Sequence, residues 1–189
     1  LAHIHGVDID SQAVETTKLS LLLKVLEGES AETLGSSLRL FHERALPDLA
    51  ANIKCGNSLI GPDFYDHHQM DLFDEEQRLR LNVFDWHAEF PHLMRSGGFD
   101  AVIGNPPYVR MEAFKPVKDY LSHVYAAHEE RADLYAYFIE RGISLLSPVG
   151  RFGMIVSNKF IRAKYGRPLR QVLAERGHVV QIVDLAGAP

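Results

Sequence analysis

Cysteine is almost missing from this chain. Cys55 stands alone among 189 residues, so an internal disulfide and a cysteine-built zinc site are both excluded. Such sparing use fits a reducing cytoplasm better than an oxidising compartment. No apolar run approaches the roughly 20 residues of a membrane span, and the first residues carry no basic-then-apolar leader pattern. A cytoplasmic protein with no membrane partner is expected. His87-Ala88-Glu89 matches the H-x-E of zinc deaminases, but the P-C-x-x-C that must accompany it is absent, and no metal is implied. The chain has neither an internal repeat nor a low-complexity stretch. What remains is 46% hydrophobic, enough for one well-buried domain and too little for two large ones.

A general surplus of positive charge is lacking too. The formal net charge is -5, awkward for a nucleic-acid binder, whose grip on phosphates comes largely from Lys and Arg. The charge is unevenly spread, however. Residues 151–176 hold seven basic side chains, Arg151, Lys159, Arg162, Lys164, Arg167, Arg170 and Arg176, against the single acid Glu175. On charge alone the preferred reading of such a cluster is a solvated helix face. Between Gly61 and Asp100 the balance reverses to nine acids and three bases, among turn-rich segments such as Gly61-Pro62-Asp63 and Ser96-Gly97-Gly98. This stretch, about 61–98, is read as an exposed acidic insertion.

Present instead are short β-rich runs alternating with helical patterns, which predict a parallel sheet covered by helices. The expected strands are Ile4–Ile9, Asn52–Cys55, Phe99–Ile103, Phe152–Val156 and Val179–Leu185. Asp10 or Ser11 is expected to cap a helix running through Leu19-Ser20-Leu21-Leu22-Leu23 toward Gly28. Asp133 is expected to open a second helix, buried because Leu134, Phe138 and Leu145 share one face while Ile139, Ile143 and Leu146 line the next. A third helix is predicted from Pro168 to Arg176, with Gly177 just past its end.

The chemistry concentrates in Phe99-Asp100-Ala101-Val102-Ile103-Gly104-Asn105-Pro106-Pro107-Tyr108, a strand expected to be buried that runs directly into two prolines. Proline fixes its own φ and pushes the preceding residue toward extended geometry, so Asn105 is held rigid at the carboxyl end of a strand. Open α/β sheets place their sites there. The Asn105 side-chain oxygen and the Pro106 carbonyl can together accept two hydrogen bonds from one amino group, while Tyr108 offers a flat face to a ring.

Asn105-Pro106-Pro107-Tyr108 is similar to the (D/N/S)-P-P-(Y/F/W) motif of amino methyltransferases, which release-factor glutamine and some ribosomal RNA guanine-N2 methyltransferases also carry. Three further segments narrow the resemblance: Tyr108-Val109-Arg110, Arg131-Ala132-Asp133-Leu134-Tyr135, and Ser157-Asn158-Lys159-Phe160-Ile161-Arg162-Ala163-Lys164-Tyr165-Gly166. In this order and spacing they resemble the Eco57I-type adenine methylase domain of type II restriction-modification enzymes, over nearly the whole chain from Gly6 to Leu185. The resemblance implies an α/β fold, a Rossmann-like class I methyltransferase sheet with helices on both faces. It also implies an S-adenosyl-L-methionine-dependent DNA adenine-N6 methyltransferase. Asn105, Pro106, Pro107 and Tyr108 are then catalytic, and the partner is double-stranded DNA with a flipped adenine, with a fused or separate nuclease as a further partner. Arg110, Lys159, Arg162, Lys164 and Arg167 are expected to hold DNA phosphates.

Gly6-Val7-Asp8-Ile9-Asp10 fits the same picture by placing an acid at the end of a nucleotide-binding strand. Asp8 is expected on the cofactor ribose, although an acid there can also cap the following helix, the role expected of Asp10. Ile9 is expected to pack on the cofactor adenine. By the resemblance Asn57, with Ser58, sits beside the adenine amino group; a plain turn residue is the alternative for Asn57. The family's glycine-rich F-x-G-x-G loop has no counterpart, since no G-x-G occurs in the chain. Residues 1–189 are therefore expected to be a partial catalytic domain, with the first strand upstream and a target-recognition domain downstream. Two other readings stay open: a protein-glutamine or ribosomal RNA guanine methyltransferase, and a non-catalytic DNA-binding scaffold.

Overall fold

In the computed structural model, which describes residues 1–27, 48–66, 75–109 and 117–185, the first apolar run condenses into a three-residue strand, β1 (Gly6–Asp8). Asp10 then accepts from the Gln12 amide and starts helix α1 (Ser11–Leu26), which settles the capping position between Asp10 and Ser11. Gly28, where this helix was expected to end, lies outside the described residues. Strand β2 (Ile53–Cys55) pairs in parallel with β1, Gly6 opposite Ile53 and Asp8 opposite Cys55. Val14 of α1 packs with Leu49 and Ile53 beneath this pair. Leu19 and Leu23 of α1 stay exposed, because only one side of the helix meets the strands.

The described residues fall into two compact units, Leu1–Asp85 and Trp86–Pro189. The first continues through a 3-10 turn at Pro62–Asp66 and helix α2 (Glu75–Leu81). This part of the acidic stretch is not wholly exposed: Phe64, Leu81 and Phe84 are buried. Charge dominates its composition, yet the few large apolar side chains still find a core.

In the second unit, short helices α3 (Trp86–Glu89) and α4 (Pro91–Arg95) lead to strand β3 (Phe99–Gly104). Trp86, Phe90 and Phe99 form a ring cluster there, with centroids 5.8 to 6.0 Å apart. Gly98 makes the turn into the strand at φ +114, and a Cβ on it would lie 2.5 Å from the Leu145 carbonyl, so only glycine fits. Helix α5 (Lys118–Val124) follows, then α6 (Tyr135–Ser144) and β4 (Leu146–Met154). Helix α6 buries Tyr135, Ala136, Tyr137, Ile139, Glu140 and Gly142, as its broad apolar surface predicts. Its first residue is Tyr135, and Leu134 at the cap makes no side-chain capping bond, so Asp133 precedes the helix without opening it.

Strands β3 and β4 run parallel. The expected strand from Phe152 to Val156 starts earlier, at Leu146, because a register shift between Phe99 and Ala101 absorbs the irregular Ser147-Pro148-Val149-Gly150 stretch. β3 is also less buried than its apolar sequence suggests, with Ile103 87% exposed. It has one strand neighbour among the described residues. Helices α7 (Lys159–Arg162) and α8 (Arg167–Arg176) flank a 3-10 turn at Lys164–Gly166, and Leu169 and Val172 of α8 pack against α6. The strand predicted at Val179–Leu185 is absent. This segment is non-regular and exposed, since apolar β-formers make a strand only where a neighbour can satisfy their amides and carbonyls.

Candidate active site

Strand β3 delivers Asn105 at its carboxyl end, and the two prolines stop any continuation. Asn105 is exposed, Pro106 is buried, and Tyr108 is half exposed at 55%. Neither the Asn105 side chain nor the Pro106 carbonyl makes a hydrogen bond to any described residue. Two acceptors are thus held on a stiff loop with nothing attached. Tyr108 is anchored instead: its hydroxyl donates to the Ile155 carbonyl at 3.2 Å, just beyond β4. The Ile155 amide in turn donates to the Gly104 carbonyl at 3.1 Å.

The segments that carry the sequence resemblance meet around this loop. The Leu134 amide donates to the Val109 carbonyl at 2.9 Å, fixing Asp133-Leu134-Tyr135 directly after the tetrapeptide. The Tyr135 ring sits edge-on to Phe160, with centroids 6.2 Å apart. Burial, with Tyr165 adding to it, raises the pKa of the Tyr135 hydroxyl, so this group stays neutral across physiological pH.

The basic cluster divides by role. Lys159, Arg162, Lys164 and Arg167 are exposed, and among the described residues their side chains pair with none. Arg170 turns inward and donates to the carbonyls of Phe160 and Ala163, which closes the turn bearing the other cations. Gly166 makes that turn possible, because a Cβ there would lie 2.1 Å from the Phe160 oxygen. Arg176 reaches the buried Glu140 at 2.8 Å. Arg110 lies outside the described residues.

In the first unit, Asp8, Ile9, Asn57 and Ser58 come together at the carboxyl ends of β1 and β2. The Gly56 amide donates to the Asp8 carbonyl at 2.8 Å. Asp8 Oδ1 accepts from the Asp10 amide at 2.9 Å, while Asp10 does the helix capping. Asn57 Oδ1 accepts from the Leu59 amide at 3.1 Å, the turn role foreseen as its alternative, which leaves its Nδ2 to donate. Ile9 is 53% exposed. An exposed carboxylate, an exposed aliphatic side chain and a primary amide at the ends of parallel strands suit a ribose and a purine.

One residue of this cluster escaped the sequence reading. Asn82, placed there inside the acidic stretch, has a left-handed φ of 45 and sends its amide to the Ile9 carbonyl at 3.3 Å. Its sequence signal was slight: an Asn just past a helix that ends in basic residues. Among the described residues no group of three or more His, Cys, Asp or Glu could hold a metal ion, and no helix is long and apolar enough to cross a membrane.

Comparison with known proteins supplies a family. The chain is 32% identical over 185 residues to the type II restriction enzyme and methyltransferase RM.Eco57I of Escherichia coli, covering 96% of this chain and 16% of that protein. It is 42% identical over 95 residues to the type II methyltransferase M.PaeR7I of Pseudomonas aeruginosa, covering 49% of this chain and 16% of that one. It is 27% identical over 203 residues to the adenine-specific methyltransferase PglX of Streptomyces coelicolor, covering 100% of this chain and 16% of that one. The chain therefore spans about a sixth of these curated relatives. A family profile described as Eco57I restriction-modification methylase matches residues 2–189, and the chain belongs to that family.

Proposed function

We propose that this chain is the catalytic core of a site-specific DNA adenine-N6 methyltransferase that uses S-adenosyl-L-methionine and serves a restriction-modification or related defence system. The observation that carries this reading is the pair of unengaged acceptors, Asn105 and the Pro106 carbonyl, beside a half-exposed and anchored Tyr108 ring. Family membership supports it, as do relatives named as type II methyltransferases and one named as an adenine-specific methyltransferase. One relative's name joins restriction enzyme to methyltransferase, which supports a nuclease partner, fused or separate. The proposed fold is a Rossmann-like class I methyltransferase sheet with helices on both faces, to which the parallel pairs β1–β2 and β3–β4 each contribute.

Bound S-adenosyl-L-methionine supplies an electrophilic methyl group. Asp8 holds the ribose hydroxyls, Ile9 packs on the adenine, and Asn57 and Ser58 border its edge. At the other end of the reaction, a target adenine leaves the duplex at a cost of a few kcal/mol and stacks on Tyr108. Its N6 lone pair is delocalised into the ring. Asn105 and the Pro106 carbonyl accept the two N6–H groups, localising that pair as the nitrogen becomes tetrahedral and positive. This stabilises the transition state more than the ground state. Lys159, Arg162, Lys164 and Arg167 position the duplex through its phosphates.

The decisive experiment transfers radiolabelled methyl from the cofactor to DNA, RNA or release factor, using the complete natural polypeptide and its Asn105→Ala variant. DNA alone should be labelled, at adenine N6, and Asn105→Ala should lose turnover with DNA affinity nearly unchanged. Labelling of RNA or protein instead, or wild-type turnover by the variant, would overturn the reading.

A further inference from the structure

We infer that Asn82 is a positioning residue for the nucleoside end of the cofactor, a role that rests on the cofactor reading of Asp8, Ile9 and Asn57. Among the described residues it is the only non-glycine with positive φ, a conformation that Asn tolerates better than most side chains. That backbone turn ends α2, with the Asn82 amide donating to the Arg78 carbonyl at 2.9 Å. It also aims both remaining polar groups of the residue at the candidate cofactor site. The Asn82 carbonyl accepts from the Asn57 amide at 2.6 Å. The side-chain amide donates to the Ile9 carbonyl at 3.3 Å and lies 3.4 Å from Cys55 Sγ.

Ile9 follows β1 and Asn57 follows β2, and no hydrogen bond joins the two directly. Asn82 reaches both at once. Beside the Gly56–Asp8 backbone bond and the Cys55 Sγ contact to the Ile9 carbonyl at 3.6 Å, it therefore helps fix the gap between the side chain proposed to cover the purine and the amide proposed to border it. A helix cap needs only the backbone conformation. The side-chain amide on Ile9 is extra to that need, and this is the feature that points toward the cofactor.

Two variants separate capping from positioning. Asn82→Gly keeps the left-handed turn and the Asn57 contact but removes the donor to Ile9. Asn82→Asp keeps a side chain of the same shape while replacing that donor with an acceptor. In the complete polypeptide both should weaken calorimetric binding of S-adenosylhomocysteine, and raise the cofactor KM, by roughly three- to tenfold, the effect of one lost hydrogen bond. Turnover at saturating cofactor and the thermal midpoint of Asn82→Gly should stay close to wild type. Asp8→Ala, measured alongside, tests the underlying reading. If Asp8→Ala weakens S-adenosylhomocysteine and Asn82→Gly does not, Asn82 is only a cap and the inference fails. If neither variant changes binding, the cofactor reading of this cluster fails with it.

Discussion

Tyr108 joins an exposed ring to an anchored hydroxyl, two features that substitution can separate. Its ring is the proposed stacking surface, whereas its hydroxyl is tied to the Ile155 carbonyl, a contact invisible in the sequence because Ile155 is 47 residues away. At 3.2 Å this bond is longer than an ordinary O–H···O contact, so it steers the ring weakly. Tyr108→Phe should lower kcat/KM by only about twofold, corresponding to about 0.5 kcal/mol. Tyr108→Ala removes a stacking face worth about 1 to 3 kcal/mol and should cost about tenfold or more. Fluorescence of 2-aminopurine at the target position, which rises on unstacking, gives the readout: Phe should preserve the signal and Ala should reduce it. Equal loss in both variants would make the hydroxyl the important half.

His128 offers a second test at this scale. Its Nδ1 lies 2.8 Å from the Tyr137 hydroxyl. Burial, reinforced by the nearby Lys118, lowers its pKa below the ordinary 6.5. A histidine with a depressed folded pKa stabilises the fold above the unfolded value and loses that contribution as pH falls through the folded one. Urea midpoints should therefore decline below about pH 6.5, and His128→Gln should flatten that decline. An identical pH profile in the variant would move the effect to other groups, His5 among them.

Among the elements, the clamp between α6 and α8 depends on a single buried carboxylate. Glu140 accepts from the amides of Ala126 and Ala127 at 3.2 and 2.7 Å and from Arg176 at 2.8 Å. Glu140→Ala strands all three donors. It should cost about 3 kcal/mol, the lower end for breaking a buried pair, because Arg176 is half exposed. Chemical denaturation of this variant beside Glu140→Gln, which keeps one acceptor oxygen, checks the size.

The basic segment yields a different split. Arg162→Ala and Lys164→Ala should each weaken DNA binding and reduce the salt slope by about 0.9 per lost phosphate contact. Arg170→Ala should lower stability with the slope unchanged, since its guanidinium serves the Phe160 and Ala163 carbonyls. Composition could not tell these cations apart, because all lie in one basic stretch and only the folded turn shows which faces inward. The strands divide in the same way. Gly6–Asp8 and Phe99–Gly104 were legible from apolar runs ending in chemistry-bearing residues. The early start of β4 was not, because Pro148 and Gly150 look like turn formers until the register shift places them inside a strand. Val179–Leu185 reads as a strand by propensity and is none here, since propensity cannot supply a partner. Asn82 was hidden for a related reason: its contacts to Ile9 and Asn57 span 73 and 25 residues of sequence.

Across the whole molecule, the two units differ in how much holds them. The β1–β2 pair has three residues per strand and rests on Val14, Leu49 and Ile53. The β3–β4 pair has six and nine residues, beside a core that joins α6 to α8 through Tyr135, Ile139, Leu169 and Val172. Local opening is easiest where few buried contacts and few ladder bonds must be lost. In the 189-residue chain, the amides of Gly6 and Gly56, which bond to Asn52 and Asp8, should therefore exchange with solvent well before those of Phe99 and Ile155, which bond to Leu145 and Gly104. The weaker pair is also the one assigned to the cofactor, and a ligand that binds only the folded form protects what it touches. Adding S-adenosylhomocysteine to the complete polypeptide should slow exchange at Ile9, Gly56 and Asn57 more than at Phe99. Equal protection of both strand pairs without ligand would contradict the ranking of the two cores. A ligand effect confined to the β3–β4 pair would move the cofactor away from Asp8.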